Sequence, residues 1–330
     1  MNILVTGAAG YIGSICAEVL LVRGMHVIAL DNLQSGHRAA VPREAGFCHA
    51  DLADRAQLDV VFSAHRIDAV MHFAGEIVVS KSVREPSTFY ASNVACSLNL
   101  LDAMTHHGVK KFIFSSTAAV YGEPETLPIP EDHRKAPINP YGKTKLLFEE
   151  ILADYRKYAG LQYVALRYFN AAGASAERGE AHPEETHLIP CVLDAALGFL
   201  PHLDVFGTDY PTPDGTCIRD YIHVLDIADS HLRALEEIDR VAGEAFNVGN
   251  SRGYSILEVI DAAERITGRK IPRKLSPRRP GDPAVLVASK EKLKQSVGWE
   301  ARHSSLEEIV GSAWAWKQRH RRGYAETASV

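Results

Sequence analysis

No stretch of this 330-residue chain is apolar for long enough to span a bilayer, and no basic segment followed by an apolar core opens it. Neither membrane anchoring nor export is therefore expected. Cysteine is scarce: the five present, Cys16, Cys48, Cys96, Cys191 and Cys217, are odd in number and lack metal-ligand spacing. They exclude a disulfide framework and read as reduced, mostly buried thiols of a cytoplasmic protein. An excess of positive charge is also missing. Lys and Arg number 36 against 41 Asp and Glu, and the net charge of -5 argues against a general binder of nucleic acid or other polyanions. Arg278-Arg279 and Arg319 to Arg322 are too short to reverse that balance and by themselves read as solvated surface. With no internal repeat and no low-complexity tract, what remains is a chain able to form one large or two medium domains around a sizeable core.

The strongest positive signal is a glycine fingerprint in the right context. Met1-Asn-Ile-Leu-Val-Thr6 reads as a short buried strand, Gly7-Ala-Ala-Gly10-Tyr-Ile-Gly13 as a tight turn, and Tyr11 to Arg23 as a helix. The free amides at the start of that helix would face a pyrophosphate. A second strand, His26 to Leu30, ends at Asp31, where a carboxylate accepts hydrogen bonds from the adenosine ribose and repels a 2′-phosphate. Glycines alone could be ordinary turn residues; strand, helix and Asp31 together point to NAD rather than NADP.

Tyr141 and Lys145 lie four residues apart in Tyr-Gly-Lys-Thr-Lys, one turn apart on one helical face. A phenol with a pKa of ~10 is a poor base at neutral pH, and lowering it by ~3 units takes about 4 kcal/mol of selective phenolate stabilisation. The Lys145 ammonium and an oxidised nicotinamide ring can supply it. Taken alone, a tyrosine and a lysine at this spacing are common on exposed helices.

Strands and helices alternate through the first half. A short strand is expected at Gly46 to Ala50, ending at Asp51-Leu52, then a helix from Ala56 to His65 and the strand Ala69 to Phe73. Long helices over Ser87 to His107 and Tyr141 to Tyr158 are separated by the strand Lys111 to Ser115. This is the rhythm of an α/β protein with a doubly wound parallel sheet. The pattern becomes irregular after Tyr168-Phe-Asn170, where Gly, Pro, Glu and His cluster between Ala171 and Pro190. The main boundary is placed there: a dinucleotide-binding domain over residues 1–170 and a smaller domain mostly within 171–330, with 219–237 returning to the first because a strand-like Tyr221 to Leu225 precedes a helix.

Longer matches span nearly the whole chain: Val5 to Gly13, Asp31-Asn-Leu33, His72-Phe-Ala-Gly75, Phe112 to Gly122, Asn139-Pro-Tyr-Gly-Lys-Thr-Lys145, Leu166-Arg-Tyr-Phe-Asn170, Asp214-Gly-Thr216 with Arg219 to Val224, and Pro277 to Asp282. In these the chain resembles the UDP-glucose (UDP-galactose) 4-epimerase branch of the extended short-chain dehydrogenase/reductase family. The resemblance implies a modified Rossmann domain with a smaller α/β domain capping the substrate, tightly held NAD, and UDP-glucose or UDP-galactose as substrate. It implies that Tyr141 takes the proton of the sugar 4-hydroxyl while carbon 4 gives up hydride, that Thr117 bonds the reacting oxygen, and that Lys145 also holds the nicotinamide ribose. The 4-keto sugar then turns over and is reduced on its other face. Without the resemblance, Thr117 would read as a strand-end hydroxyl bonded to backbone.

The cofactor contacts implied in this way are Gly7, Gly10, Tyr11, Ile12, Gly13, Asp31, Asn32, Asp51, Leu52, Phe73, Ala74, Gly75, Asn93, Ser115, Tyr141, Lys145 and Tyr168, with His72 near the cofactor. Those implied for substrate are Thr117, Tyr141, Asn170, His187, Leu188, Asp204, Val205, Phe206, Arg219, Tyr221, Arg279 and Asp282. Asn170, Arg219 and Arg279 resemble diphosphate contacts, where converging guanidinium groups give charge-assisted hydrogen bonds; either arginine alone would read as a surface ion pair. The two long helices resemble those of a four-helix interface, implying a homodimer.

Sugar-nucleotide dehydratases of the same family carry acidic residues after the hydroxyl residue, whereas Ala118 and Ala119 stand here and can transfer no proton. Other departures leave roles open. Ile77 stands where some members have a lysine, so Lys81 is not assigned. His187 replaces an asparagine of some relatives and reads equally as a structural histidine. Leu286, at a position that gates N-acetylated sugars, is intermediate in size. Other UDP-sugars, net dehydrogenation or reduction, and non-catalytic nucleotide sensing therefore stay as alternatives.

Overall fold

The structure, a computed structural model, describes residues 1–183, 185–279 and 282–324. Its strands in chain order are β1 (Asn2–Thr6), β2 (His26–Asp31), β3 (Gly46–His49), β4 (Ala69–His72), β5 (Lys111–Thr117), β6 (Gln162–Tyr168), β7 (Asn170–Ala172), β8 (Leu203–Phe206), β9 (Ile218–His223), β10 (Glu244–Val248), β11 (Gly253–Ser255), β12 (Arg273–Ser276) and β13 (Val285–Leu286). Seven form one parallel sheet in the order β10-β6-β5-β4-β1-β2-β3. Ile3, Leu4 and Val5 of β1 are fully buried because helices cover both faces, which is why the strand is continuously apolar. Tyr11–Val22 and Val224–Glu236 pack on one face; Arg55–Ala64, Ser97–His106 and Pro140–Ala159 pack on the other. The strand order reverses between β1 and β4, and a crevice opens at their carboxyl ends, where Thr6 sits beside His72.

A second core lies outside this sheet. β7, β9, β11 and β13 form a four-stranded sheet and β8 pairs with β12. The helices Leu188–Leu197, Ile256–Thr267 and Leu306–Arg319 close over Val192, Val205, Ile260 and Ile309. This part is also α/β.

Several expectations need correction. The strand-like Tyr221 to Leu225 does not join the large sheet: β9 pairs with β7, β11 and β13, although Ile222 packs into the first core and the following helix Val224–Glu236 lies on it. The return also reaches beyond residue 237, because β10 adds to the edge of β6 and Leu293, Val297 and Trp299 join the same core. The helix expected from Ser87 to His107 is present without a break, though its middle is π-helical: Pro86–Tyr90, Ala91–Cys96 and Ser97–His106 follow one another directly. Of the free cysteines only Cys16 and Cys217 are buried; Cys48, Cys96 and Cys191 are half-buried. Among the described residues no helix is long and apolar enough to cross a membrane.

A buried ion pair joins Pro140–Ala159 to the sheet. Arg167 of β6 holds Glu149 through two bonds, Nε to Oε1 at 3.0 Å and Nη2 to Oε2 at 2.6 Å. Both side chains are less than a tenth exposed. Removing one partner of such a pair strands the other charge in a desolvated site. Glu149→Gln is expected to cost about 3 kcal/mol in urea unfolding; a loss below about 1 kcal/mol would show that the pair is not a principal brace of the fold.

Candidate active site

At the end of β1, Gly7 takes φ +69°, and an added Cβ there would lie 2.6 Å from the Ala74 amide nitrogen. A Cβ at Gly13 would lie 2.2 Å from the Gly7 carbonyl. The turn is thus packed directly against Phe73-Ala74 at the end of β4. Gly10 caps Tyr11–Val22 without a side-chain bond, and no acidic residue stands in the first turn. Those amides and the positive end of the helix are left available to an anion. The Asp31 carboxylate is nearly buried and accepts hydrogen bonds from the Ala9 amide at 2.9 Å and the Leu33 amide at 2.8 Å. Asn32 donates to Asp51 at 2.9 Å, Leu52 is buried next to it, and Ile12 packs on the core. Gly7, Gly10, Tyr11, Ile12, Gly13, Asp31, Asn32, Asp51 and Leu52 therefore share one edge of the sheet. A tight, uncapped turn with a fixed carboxylate one strand away fits a dinucleotide.

The π-helical segment explains Asn93. Its Oδ1 accepts from the Glu76 amide at 2.8 Å, and its Nδ2 donates to the Glu76 carbonyl at 3.0 Å and to Thr144 at 3.2 Å. It ties the backbone after Gly75 to the helix bearing Tyr141 and Lys145; such bulges often mark functional sites. The His72 ring is held between Thr6 at 2.7 Å and Ser97 at 2.8 Å, and burial, followed by the Lys145 charge, lowers its pKa to about 3. It is a neutral interior residue at the end of β4.

Asn139 caps Pro140–Ala159 by accepting from the Gly142 amide at 2.8 Å, with Pro140 at the first helical position. One turn in, Lys145 is 4% exposed; it donates to the Ser115 carbonyl at 2.9 Å and lies 4.9 Å from the Phe114 ring centre. Burial lowers its pKa to about 8, and Glu149 opposes that shift. Burial raises the Tyr141 phenol above its ordinary value, while hydrogen bonding with Thr117 pulls it back. The sequence assigns the lowering of this phenol to Lys145 together with an oxidised nicotinamide; among the protein's own groups the lowering influence comes from Thr117, while the Lys145 ammonium donates to the Ser115 carbonyl. Thr117 ends β5, and its Oγ1 also accepts from the Ala119 amide at 3.1 Å. Ala118 and Ala119 continue into a short 3-10 turn.

Tyr168 at the end of β6 bonds the ring of His231, whose Nδ1 contacts the Ile227 carbonyl at 2.9 Å. That places the His231 proton on Nδ1 and makes Tyr168 the donor to Nε2. His231 also packs 4.7 Å from the Phe73 ring. Sequence reasoning missed it, because a histidine on a buried helical face gives no local signal.

The residues expected to bind substrate are spread over the smaller sheets. Register sets Asn170 beside Tyr221 and Leu286 beside Arg219. Arg219 is nearly buried and forms an ion pair with Asp282. Arg279 stacks 4.1 Å over the Phe206 ring, while Asp204 accepts from Ser276 at 2.9 Å. The Val205 and Tyr221 side chains belong to the smaller apolar core. His187 is the N-cap residue of Leu188–Leu197, bonds Glu185 at 2.7 Å, and lines a cleft with Tyr11 and Glu180. Leu188 is half-buried against the smaller core. Lys81 pairs with Glu76 at 3.3 Å. Pro280 and Gly281 of the Pro277 to Asp282 motif lie outside the described residues.

A doubly wound sheet, a glycine turn built for a dinucleotide and a Thr-Tyr-Lys set at its carboxyl edge define a nucleotide-dependent enzyme of sugar or alcohol chemistry. The NAD dependent epimerase/dehydratase family profile matches residues 3–249, and the chain belongs to that family. Within it, the chain is 49% identical over 329 residues to the UDP-glucose 4-epimerase of Halalkalibacterium halodurans, covering 98% of each chain. A crystal structure of UDP-glucose 4-epimerase superposes with a TM-score of 0.96 at 45% identity, covering 98% of this chain and 100% of that one. The UDP-glucose 4-epimerase of Brucella ovis in complex with NAD gives 0.92 at 45% identity, covering 95% and 97%.

Lys145 yields a pH prediction. Folded, it releases its proton near pH 8 rather than at 10.5. Between those values the unfolded chain binds more protons, so this group makes the fold more stable as pH rises through the window and less stable below it. Lys145→Met is therefore expected to stabilise the cofactor-free protein by on the order of 1–3 kcal/mol at about pH 7, with the gain fading by about pH 10. Urea unfolding at several pH values checks this, and a pH-independent difference would refute it.

Proposed function

We propose that this enzyme interconverts UDP-galactose and UDP-glucose, with Tyr141 as acid-base group, Thr117 and Lys145 as its partners, and tightly held NAD. The observation that carries the reading is the meeting of Thr117, Tyr141 and Lys145 beside the Gly7–Gly13 turn, with alanines at 118 and 119. When bound, the nicotinamide supplies reversible hydride transfer at sugar carbon 4. Tyr141 accepts the proton of the 4-hydroxyl and later returns it. Thr117 bonds the reacting oxygen and favours the phenolate. Lys145, held at Ser115, contributes positive charge and bonds the nicotinamide ribose. No acid stands at 118 or 119 to expel water, so the 4-keto sugar keeps all its hydroxyls until it is reduced again.

For cofactor, the reading assigns the pyrophosphate to the amides after Gly10 and the adenosine ribose to Asp31, with Asn32, Asp51, Leu52, Phe73, Ala74, Gly75, Asn93, Ser115 and Tyr168 around the dinucleotide. For substrate, it assigns the diphosphate to Asn170, Arg219 and Arg279, with His187 and Leu188 on one side and Asp204 to Phe206, Tyr221 and Asp282 on the other. The smaller part of the chain acts as the cap over the UDP-sugar. Leu286 lies against the cluster of Ala118, Val120, Tyr121 and Ile129, which favours it as a wall of the sugar site and keeps N-acetylated UDP-sugars as the second reading. A cytoplasmic homodimer through the helices around 86–106 and 140–159 completes the proposal, supported by the exposure of Tyr90, Leu147 and Tyr158.

Incubation with UDP-galactose and no added cofactor, followed by proton NMR and nicotinamide absorbance, tests the reaction. UDP-glucose is expected without lasting NADH accumulation, and Tyr141→Phe is expected to lose at least about a hundredfold in kcat while still retaining NAD. Stoichiometric NADH production by the parent, or near-normal turnover by the variant, would sink the reading. Asp31→Ala is expected to weaken the preference for NAD over NADP in reconstitution of the cofactor-free protein. Unchanged discrimination would move that role elsewhere.

A further inference from the structure

The segment before Leu188–Leu197 repeats one short pattern, Glu180-Ala-His182 and Glu185-Thr-His187. The fold brings the two copies together: one ligand atom from each of Glu180, His182, Glu185 and His187 lies within 4.8 Å of every other. His182 Nδ1 stands 2.5 Å from Glu180 Oε1, and His187 Nδ1 stands 2.7 Å from Glu185 Oε1. The side chains of Glu180, Glu185 and His182 are 11, 15 and 23% exposed, so this is not a fan of surface acids. His182 Nδ1 is buried without a well-aligned hydrogen bond, although a carboxylate oxygen is beside it.

Beyond the two imidazoles and nearby amides, the carboxylates have no partner among the described residues that would compete strongly with a metal ion. Among the described residues neither carboxylate pairs with a lysine or arginine; Lys317, on the wall of the adjoining cleft, is taken by Asp194 at 2.8 Å. Two imidazole nitrogens and two carboxylate oxygens make the ligand set that borderline divalent ions such as Zn2+ accept, whereas Mg2+ and Ca2+ favour oxygen alone.

We propose that Glu180, His182, Glu185 and His187 bind one divalent transition-metal ion of the Zn2+ type. The ion would clip Glu180, His182 and Glu185 to His187 at the start of Leu188–Leu197, beside Tyr11, whose hydroxyl donates to the Gly173 carbonyl at 2.6 Å. Each imidazole must be deprotonated to bind, so uptake releases protons and weakens at low pH. The clip takes no part in the chemistry at carbon 4, and its test needs neither UDP-sugar nor turnover.

The full chain, treated with chelator and dialysed, is titrated with Zn2+ against a chromophoric chelator and separately with Co2+, read by visible absorption. One ion per chain is expected. His182→Gln and Glu180→Gln should each weaken binding by at least about tenfold and reduce the Co2+ band. His107→Gln, in the separate Asp59, His106 and His107 cluster, should change neither. Thermal unfolding of each metal-free variant verifies that it is folded. Absence of saturable uptake, uptake that survives both substitutions in folded protein, or uptake lost in His107→Gln would overturn the proposal.

Discussion

The Arg167–Glu149 ion pair is the contact on which the candidate site's geometry depends. It is nearly withdrawn from water, so its desolvation must be offset by bonds to every remaining donor and acceptor. Most of those bonds are present. Ser116 donates to Glu149 at 2.5 Å, and Arg167 Nη1 donates to the Tyr121 hydroxyl at 2.8 Å and the Glu131 carbonyl at 3.1 Å. Tyr121 passes its proton to Asn247 at 2.6 Å, and the Asn247 amide reaches Glu131 at 2.8 Å. One network thereby fixes β5, β6, β10, the Tyr121 to Glu131 connection and the helix that carries Tyr141 and Lys145. Ser116 is adjacent to Thr117, and Glu149 is one turn beyond Lys145. The separation between hydroxyl, phenol and ammonium is consequently set from beneath by a satisfied polar brace.

That brace also explains a tension in the electrostatics. Lys145 is buried, and desolvation alone would drive it towards the neutral amine. Glu149 counters this from within the brace, the Ser115 carbonyl accepts an ammonium proton, and the Phe114 ring adds a weak attraction. His72 stays uncharged under the same conditions and so places no second cation beside Lys145. A single positive charge is thus kept near Tyr141 in a region otherwise too dry to hold one.

What could be read from the sequence follows the range of the interactions involved. Gly7, Gly13, Asp31, Tyr141 and Lys145 announce themselves because a turn, a strand end and a helical face are local. Asn139 capping its own helix is equally local. The Arg167–Glu149 pair joins residues from different elements, and nothing near either indicates that both will be buried. β10 reads as an isolated apolar stretch until Phe246 and Val248 are seen against β6, so the extent of the return to the first core was missed. Helical periodicity passes smoothly through residues 91–96, since one π turn barely disturbs an apolar pattern, yet that turn directs Asn93 onto the Gly75-Glu76 backbone. Val205 and Tyr221 show a different limit: a motif match identifies the strands without saying which way alternate side chains point.

The proposed reaction makes opposite demands on the two sides of the cleft, and the two sides are built differently. The acid-base group must remain in one place while the keto sugar presents each face in turn, which suits Tyr141 on a helix braced at Glu149 and capped at Asn139. The groups proposed to hold the nucleotide must keep the diphosphate while the sugar rotates beyond it. Arg219 has a carboxylate partner in Asp282, and Arg279 has an aromatic one in Phe206, so both cations are positioned before any anion arrives. Charge pre-placed on short strands and a connecting segment would, in this reading, act at the diphosphate end of the substrate. A tether of that kind restrains one end of the substrate and leaves rotation of the other unopposed, whereas bonds to several sugar hydroxyls would favour one face and slow return of hydride to the second.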